Sequence, residues 1–421
     1  MNKKLLFNNK KKVDNLVAEY TYTGTNEVLP TFTPTDFAYI VEDITNDDGS
    51  TTRKLRSSKN KFPRGMSFYG KTTLTDVSYY KVTANDGTTT TAVHSSIFQN
   101  CTNLISCNLS ASNFTGITSF DSVFRGCSSL ETVDITGADT SLVKSFASLF
   151  QGCNKLTTIK GIEDLDTSSL TGINLMFNGC SVLASLDLHK WNTSKLNNLA
   201  QAFSSCPNLT TINTTGWDVS KFDNLMNMFG SCIRLKSIIG IESWNITNTL
   251  INLEGAFSNC RAMQSFDFIQ DWDVSNVIKM GSLFRDCQSM TSLNLSSWNT
   301  TKCVDMSSMF NGCIALTSID LSNFNTSACT NMTSMFANAP ALTSVNVTSF
   351  NTSNVTNFVS MFNINNSSLT ELDLTSFVIN SSASTTNMLL RLANNNITVK
   401  VSSSFGKTEA ECNYDGTFTV V

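Results

Sequence analysis

A phenylalanine with a cysteine three residues after it returns along this chain at steps of 26 to 28 residues, and no other feature limits the fold as strongly. The cysteines are Cys101, Cys127, Cys153, Cys180, Cys206, Cys232, Cys260, Cys287 and Cys313, and Ala339 and Asn365 continue the register. The phenylalanines are Phe98, Phe124, Phe150, Phe177, Phe203, Phe229, Phe257, Phe284, Phe310, Phe336 and Phe362. A leucine or methionine stands three residues beyond the cysteine column, as at Leu104, Leu130, Leu183, Met263, Met290, Leu316 and Leu342. A unit of about 26 residues cannot bury its own apolar side, so about eleven copies imply a solenoid whose neighbours cover one another.

Inside a unit the pattern changes period. Ser292-Leu293-Asn294-Leu295-Ser296 and Ser318-Ile319-Asp320-Leu321 alternate polar with apolar residues, which predicts a strand with one buried face. An aromatic column follows: Trp191, Trp217, Trp244, Trp272, Trp298, Phe324, Phe350 and Phe377. Its fixed place in successive units marks it as core rather than a sugar-stacking platform. After Trp272-Asp273-Val274, Ser275 is placed as a helix N-cap, and Val277, Met280, Leu283 and Phe284 fit one helical stripe. The expected unit is therefore strand, turn, short helix and return. Because helices are bulkier than strands, such a stack is expected to curve with its strands on the concave side.

The run from Trp298-Asn299-Thr300-Thr301 through Met306, Met309, Phe310, Cys313, Leu316, Ile319 and Leu321 resembles the BspA-type leucine-rich repeats of bacterial and mycoplasma surface antigens. The resemblance covers roughly residues 91 to 378 and implies adhesion or ligand binding at a surface. The fold class expected is α/β: a leucine-rich-repeat solenoid of about eleven 26-residue strand–turn–helix units. A β-rich docking or capping region over 1–90 precedes it, and a β cap over 379–421 closes it. In the first flank, Pro30, Pro34 and Pro63 and the run Tyr79-Tyr80-Lys81-Val82-Thr83 predict short strands and loops, with hairpin turns at Asp47-Asp48-Gly49-Ser50 and Asn85-Asp86-Gly87. In the last, Ile397–Val401 and Thr417–Val421 read as strands.

Composition removes several function classes. Only 15% of residues are charged, the formal net charge is −4 and no basic stripe appears beyond the first dozen residues, so no phosphate-tracking nucleic-acid face is expected. Leu5-Leu6-Phe7 is too short for the apolar run of a secretory signal, no stretch reads as a membrane span, and Thr417–Val421 offers no anchor. Gly65-Met66-Ser67-Phe68-Tyr69-Gly70-Lys71-Thr72 fits the phosphate-binding pattern G-x-x-x-x-G-K-[ST] in letters. The strand before it and the helix after it are missing, so it reads as a turn.

Nine of thirteen cysteines belong to the repeat column, Cys303 and Cys329 take the place of Val277, and Cys107 sits in a strand. Cys412 alone is out of register, and none of the thirteen has zinc-ligand spacing, so buried free thiols are expected and no metal or cofactor, with a few disulfides left open for a particle that matures outside a cell. With His94 and His189 as the only histidines, acid–base chemistry is starved. His189, just after a strand, reads as a solvated surface side chain. No catalytic residue is assigned and a non-enzymatic protein is expected; a hydrolase of surface polymers would need a paired-carboxylate site that the sequence does not display.

The outward strand positions carry the candidate site. Asn108, Asp134, Asp187, Asn213, Asp267, Asn294, Asp320, Asn346 and Asp373 form one column, flanked by Ser106, Thr132, Ser185, Thr211, Ser265, Ser292, Ser318 and Ser344. Parallel stacking would set these groups about 4.7–4.9 Å apart, a surface for protein or glycan, and stacked carboxylates there would raise one another's pKa. A surface-type repeat without export signal or anchor points to a phage virion protein, a tail or head fibre that binds a receptor. Its N-terminal region would dock to other virion proteins, its solenoid to a host surface protein or glycan, and oligomers stay open. The alternative is a bacterial cell-surface adhesin or host-interaction protein exported without a classical signal.

Overall fold

The computed structural model describes residues 15–23, 39–57, 68–71, 73–79, 95–110, 116–247, 249–364, 368–390, 392 and 397–421. Pro30, Pro34, Pro63, the run 80–83, the turn 85–87, His94 and Asn365 lie outside these residues. The chain divides into two compact units, Met1–Leu196 and Asn197–Val421.

The first unit contains β1 (Asn15–Tyr22), β2 (Tyr39–Thr45), β3 (Thr51–Ser57), β4 (Leu74–Tyr79), β5 (Ser106–Asn108), β6 (Thr132–Asp134), β7 (Thr158–Lys160) and β8 (Ser185–Asp187). One sheet runs in the order β2-β3-β1-β4-β5-β6-β7. Its first three strands and β4 pair antiparallel, and β4 to β7 then pair parallel, in register. The β2–β3 turn is the one expected at Asp47–Ser50: the Ser50 N–H donates to Asp48 Oδ1 at 2.9 Å, and Gly49 takes a φ of 80°. Buried Arg53 on β3 donates twice to Asp43, at 2.6 Å each, and lies over the Tyr22 ring.

The second unit carries β9 (Thr211–Asn213), β10 (Ser237–Ile239), β11 (Ser318–Asp320), β12 (Ser344–Asn346), β13 (Glu371–Leu374), β14 (Thr398–Val401) and β15 (Thr419–Val420). The pairs β9–β10, β11–β12, β13–β14 and β14–β15 are all parallel, and β14 and β15 are the strands expected near the C-terminus. Residues 292–294, which alternate like their neighbours, form no strand. The preceding coil is a 3-10 turn, Asp267–Ile269, at this position and offers no ladder to pair with.

The helix in each unit is the expectation that fails. Among the described residues there is no α-helix, and both units are β-solenoids whose coils are strands and turns. The segment after Ser275 shows why. The N–H groups of Met280, Ser282, Phe284 and Asp286 donate to Asp305, Ser307, Met309 and Asn311 of the next coil. The N–H groups between them close turns, Leu283 to Met280, Arg285 to Ser282 and Cys287 to Phe284. Ser282 and Asp286 adopt φ of 57° and 56°, a left-handed conformation that a right-handed helix cannot contain. Nor does Ser275 cap a helix: its N–H donates to Asp273 Oδ1 at 2.9 Å.

Spacing between coils makes the same point. Besides the strand ladders, a second line of parallel bridges joins consecutive coils. It runs Ser119–Ser145–Gly172 in the first unit and Asn198–Asn224–Asn252–Lys279–Asp305–Asn331–Asn357–Ser384 in the second. Paired coils lie about 4.7–4.9 Å apart, whereas a helix with side chains is about 10–12 Å across. A helix per coil would pry this side open. The apolar period of three and four that imitates a helix is produced by successive tight turns, all of which aim Met280, Leu283, Phe284 and Cys287 inward. With the helices gone, the premise of the expected curvature goes too.

The core is built in columns. In the first unit Phe68, Phe98, Phe124, Phe150 and Phe177 stack with ring centroids 5.4–5.7 Å apart. In the second, Phe203 to Phe362 do so at 5.2–6.4 Å. Phe310 is wholly buried and packs between Phe284 and Phe336. Phe310→Ala should therefore cost about 3–5 kcal/mol, the range for truncating a core aromatic. Urea unfolding of the variant, with a far-UV circular dichroism spectrum free of helical minima in the parent, checks both statements.

Candidate functional site

The cysteine column is explained by one hydrogen bond. Eight of the nine column thiols donate to the carbonyl of the phenylalanine one coil earlier, Cys206 pointing to the Ser204 carbonyl instead: in the first unit Cys101 to Phe68, Cys127 to Phe98, Cys153 to Phe124 and Cys180 to Phe150, at 2.9–3.2 Å. In the second unit Cys232, Cys260, Cys287 and Cys313 do the same at 3.0–3.3 Å. A small apolar side chain with a weak donor fits a place that must be dry yet satisfy a carbonyl. All thirteen thiols are free and buried. Burial raises the Cys101 and Cys313 thiols to about 12 and those of Cys329 and Cys412 to about 11. Neutral thiols of this kind are poor nucleophiles and poor metal ligands. The aromatic column is likewise core: Trp191, Trp217, Trp244, Trp272, Trp298, Phe324, Phe350 and Phe377 are all buried.

Of the phosphate-loop lookalike, residues 68–71 are described and form a turn, while 65–67 and Thr72 lie outside the described residues. The Phe68 and Gly70 N–H groups donate to Ile97 and Gln99 of the next coil, both at 2.8 Å, and the Lys71 N–H closes on Phe68 at 2.9 Å. Lys71 stands where later coils carry cysteine, and these amides are committed to stacking.

The outward Asn/Asp column sits where each strand ends, and its side chains shape the corner. Asn108, Asn213, Asn346 and Asp373 accept from the backbone N–H and the hydroxyl of the Ser or Thr two residues on. Asp134, Asn294 and Asp320 accept the backbone N–H of Thr136, Ser296 and Ser322 at 3.0–3.1 Å. Asp187 accepts from the His189 N–H at 3.3 Å and lies 2.7 Å from the His189 ring, itself 42% exposed. Asp267 departs from the pattern, since it opens a 3-10 turn and its own N–H donates to Ser265. These are Asx turns, in which a short polar side chain replaces a backbone acceptor. The column remains outward and half-exposed or exposed, flanked by Ser318, Ser344 and their equivalents.

Two further corners per coil use the same device. Asp139, Asp166, Asn192, Asp218, Asp273, Asn299, Asn325 and Asn351 turn the chain after the aromatic column. Asn198, Asn224, Asn252, Asp305, Asn331 and Asn357 turn it at the second bridge line. Stacked carboxylates were expected to raise one another's pKa, but those at Asp320 and Asp373 are lowered. The chief causes are the backbone N–H of Ser322 and the hydroxyl of Thr375. Hydrogen bonding outweighs repulsion because asparagine alternates with aspartate along the column and the groups face water.

Sequence reasoning missed one feature. The steps from Cys153 to Cys180 and from Cys260 to Cys287 are 27 residues rather than 26, and that from Cys232 to Cys260 is 28. The coils from Cys153 and Cys232 insert a turn just after their strands, beginning Gly161-Ile162-Glu163 or Gly240-Ile241-Glu242, and the coil from Cys260 carries the 3-10 turn Asp267–Ile269 in place of a strand. Gly161 and Gly240 have φ of 81° and 88°, and a Cβ on either would come within 2.6 Å of the backbone of Thr136 or Thr215. Beside the first insertion, between β7 and β8, lies a notch of about 300 Å³.

The sequence matches the family described as "Mycoplasma protein of unknown function, DUF285" over residues 154–265, 251–377 and 289–402, together more than half of the chain. The chain belongs to that family. Residues 56–169 match the BspA type leucine rich repeat region, in six copies. No curated protein matches. Among solved structures, a leucine-rich repeat protein from Eubacterium ventriosum ATCC 27560 is 14% identical, with 92% of this chain and 95% of that one covered and a TM-score of 0.32. The T. pallidum leucine-rich repeat protein TpLRR is 16% identical over 56% of this chain and 80% of that one, with a TM-score of 0.20.

Among the described residues no three His, Cys, Asp or Glu side chains gather as a metal site, and no helix is long and apolar enough to cross a membrane. Two outcomes are expected. Native protein at neutral pH should show no measurable reaction with a thiol reagent, and all thirteen cysteines should react once urea unfolds it. Asp166, Asp218, Asp320 and Asp373 all have depressed pKa values. Their contribution is present above the unfolded aspartate value of about 3.9 and is lost as pH falls through the lower folded values. Replacing all four with asparagine, which keeps the turns, should reduce the loss of Tm between about pH 5 and pH 2.5.

Proposed function

We propose that this protein is a non-catalytic binding scaffold that presents the outward face of its strands to a protein or glycan. The observation carrying this reading is the repetition of one outward pair, a Ser or Thr and an Asx, at the same place in successive coils, as in the Ser318↔Ser344 and Asp320↔Asn346 register of β11 and β12. Repeat folds use such extended faces for recognition, because many weak polar contacts at fixed spacing sum over a long partner. The backbone groups beneath that face are spent on coil stacking, so side chains are left to define specificity. The thiols are neutral and buried, and His189 faces water, which supports binding over turnover.

The setting we propose is a surface. A virion, with the solenoid as part of a tail or head fibre, is the first reading, and receptor binding is its task. A bacterial cell surface is the second, favoured by the family's description as a mycoplasma protein. Antibody-labelled electron microscopy of particles and of intact cells separates them, and a protein found in neither place overturns both. Binding is tested with the full chain on cells or immobilised glycans. Ser318→Arg with Ser344→Arg, both exposed, should weaken adhesion by about tenfold or more, since a charge is placed across a polar interface, and leave Tm within about 2 °C. Adhesion equal to the parent's would remove the strand face from the account.

A further inference from the structure

Arginine is scarce in this chain, eight among 421 residues, and three consecutive coils of the second unit each carry one at the same corner. That corner is the turn around the cysteine column. The Leu235 N–H closes on Cys232 at 3.0 Å and the Met263 N–H on Cys260 at 3.2 Å, so Arg234 and Arg261 take the outer places of equivalent turns in adjoining coils. Arg285 stands two residues before Cys287, and its carbonyl accepts the Asn259 N–H at 2.6 Å. Lys236 comes immediately before β10. All four cations are exposed. The segments 230–236, 257–264 and 284–290 hold these four and a single acid, Asp286, in a chain whose net charge is −4. Neighbouring side chains orient the guanidinium groups without neutralising them. Arg234 Nη1 donates to Asn208 Oδ1 and Arg261 Nε to Asn259 Oδ1, both at 2.7 Å. An amide oxygen fixes the fork, while the charge and the other N–H groups stay available. Arg285 alone meets a carboxylate, that of Asp286 at 3.4 Å; among the described residues Arg234, Lys236 and Arg261 face none.

We propose that this corner binds an acidic polysaccharide, whose carboxylate or sulfate groups are held by the arginine forks of successive coils. A planar fork matches the paired oxygens of such groups, and a surface of one sign concentrates ligands of the other. The arginines advance one coil at a time, about 4.7–4.9 Å along the stack, so an extended polymer of repeated charge meets them in turn. Ser258, Asn259 and Gln264 stand among them and offer hydrogen bonds to sugar hydroxyls. An acidic peptide would look for an apolar groove beside the charge, and the residues between the arginines are small or polar. Through Lys236 and Ser237 the corner joins the outward face of β10, next to the ladder break at Ile241–Ser243. The assignment rests on the scaffold reading and names the chemistry of its ligand at one corner.

The test uses the full chain with heparin as the sulfated probe, polygalacturonate as the carboxylated one, neutral dextran and poly-glutamate. At least one acidic polysaccharide should bind about tenfold or more tightly than dextran and than poly-glutamate, and which of the two it is tells sulfate from carboxylate. That binding should weaken about tenfold as salt rises from about 0.05 to about 0.5 M. Arg234→Gln, Arg261→Gln and Arg285→Gln together should lower it about tenfold or more, with Tm within about 2 °C because all three side chains are exposed. Lysine at the same three positions, which keeps the charge and loses the fork, should recover part of it. Removing equal charge elsewhere, by Lys144→Gln, Lys195→Gln and Lys221→Gln, should change it less than about twofold. No binding of either acidic polysaccharide, equal binding of dextran or poly-glutamate, an arginine variant that binds like the parent, or a lysine control that falls as far would each overturn the proposal. If the full chain still adheres to its surface in those cases, the scaffold reading stands and the corner alone falls.

Discussion

Hydrogen bonding from one coil to the next, along the stack axis, is the constraint on which everything else in each unit depends. Strand residues pair in parallel register on one side, and the Asn198–Ser384 line of bridges pairs the other. Even the turns take part, since Met280, Ser282, Phe284 and Asp286 all donate onward rather than back along their own segment. A chain bound in this way must keep the same short separation on every side of the coil. That single requirement excludes helices, fixes where side chains repeat, and turns each residue type into a column.

The columns then divide the work. Phenylalanine rings stack face to face inside, thiols satisfy the phenylalanine carbonyls, and tryptophan fills the wider corner. Asparagine and aspartate make the corners themselves, because their side chains can accept from the backbone two residues on without adding bulk. The left-handed places two residues before and after each phenylalanine go to Ser, Asn, Asp or Gly in most coils, as at Ser282 and Asp286 or Ser308 and Gly312. Polar side chains are thereby used twice, once to shape the chain and once to face outward. This economy accounts for a protein rich in Ser, Thr and Asn that carries few charges.

Regularity also tells where to look for specificity. A solenoid of identical coils offers an unvaried face, and recognition needs a place where the pattern breaks. The coil from Cys153 supplies one, where the ladder ends at β7 beside the turn that begins at Gly161. The long coil from Cys232 breaks the second unit's ladder after β10 with the 3-10 turn Ile241–Ser243, and the next coil carries Asp267–Ile269. Whatever the chain binds, these departures distinguish one stretch of its surface from another.

By itself the sequence determined the repeat, its register and its inward residues, because identical neighbours impose identical burial and so leave a column in the letters. Phe310, Cys313 and Trp298 were legible as core for that reason, and the Asp47–Ser50 hairpin by its turn residues. What the letters could not separate is a helix from a row of tight turns. Both place apolar residues three and four apart, and the sign of φ at Ser282 and Asp286 is decided by the coils above and below. The outward Asx column was visible, while its place in Asx turns and the lowered pKa of Asp320 were not. The notch was hidden as one extra residue between two cysteines; only stacking turned that residue into a gap, since a ladder that loses register must open somewhere.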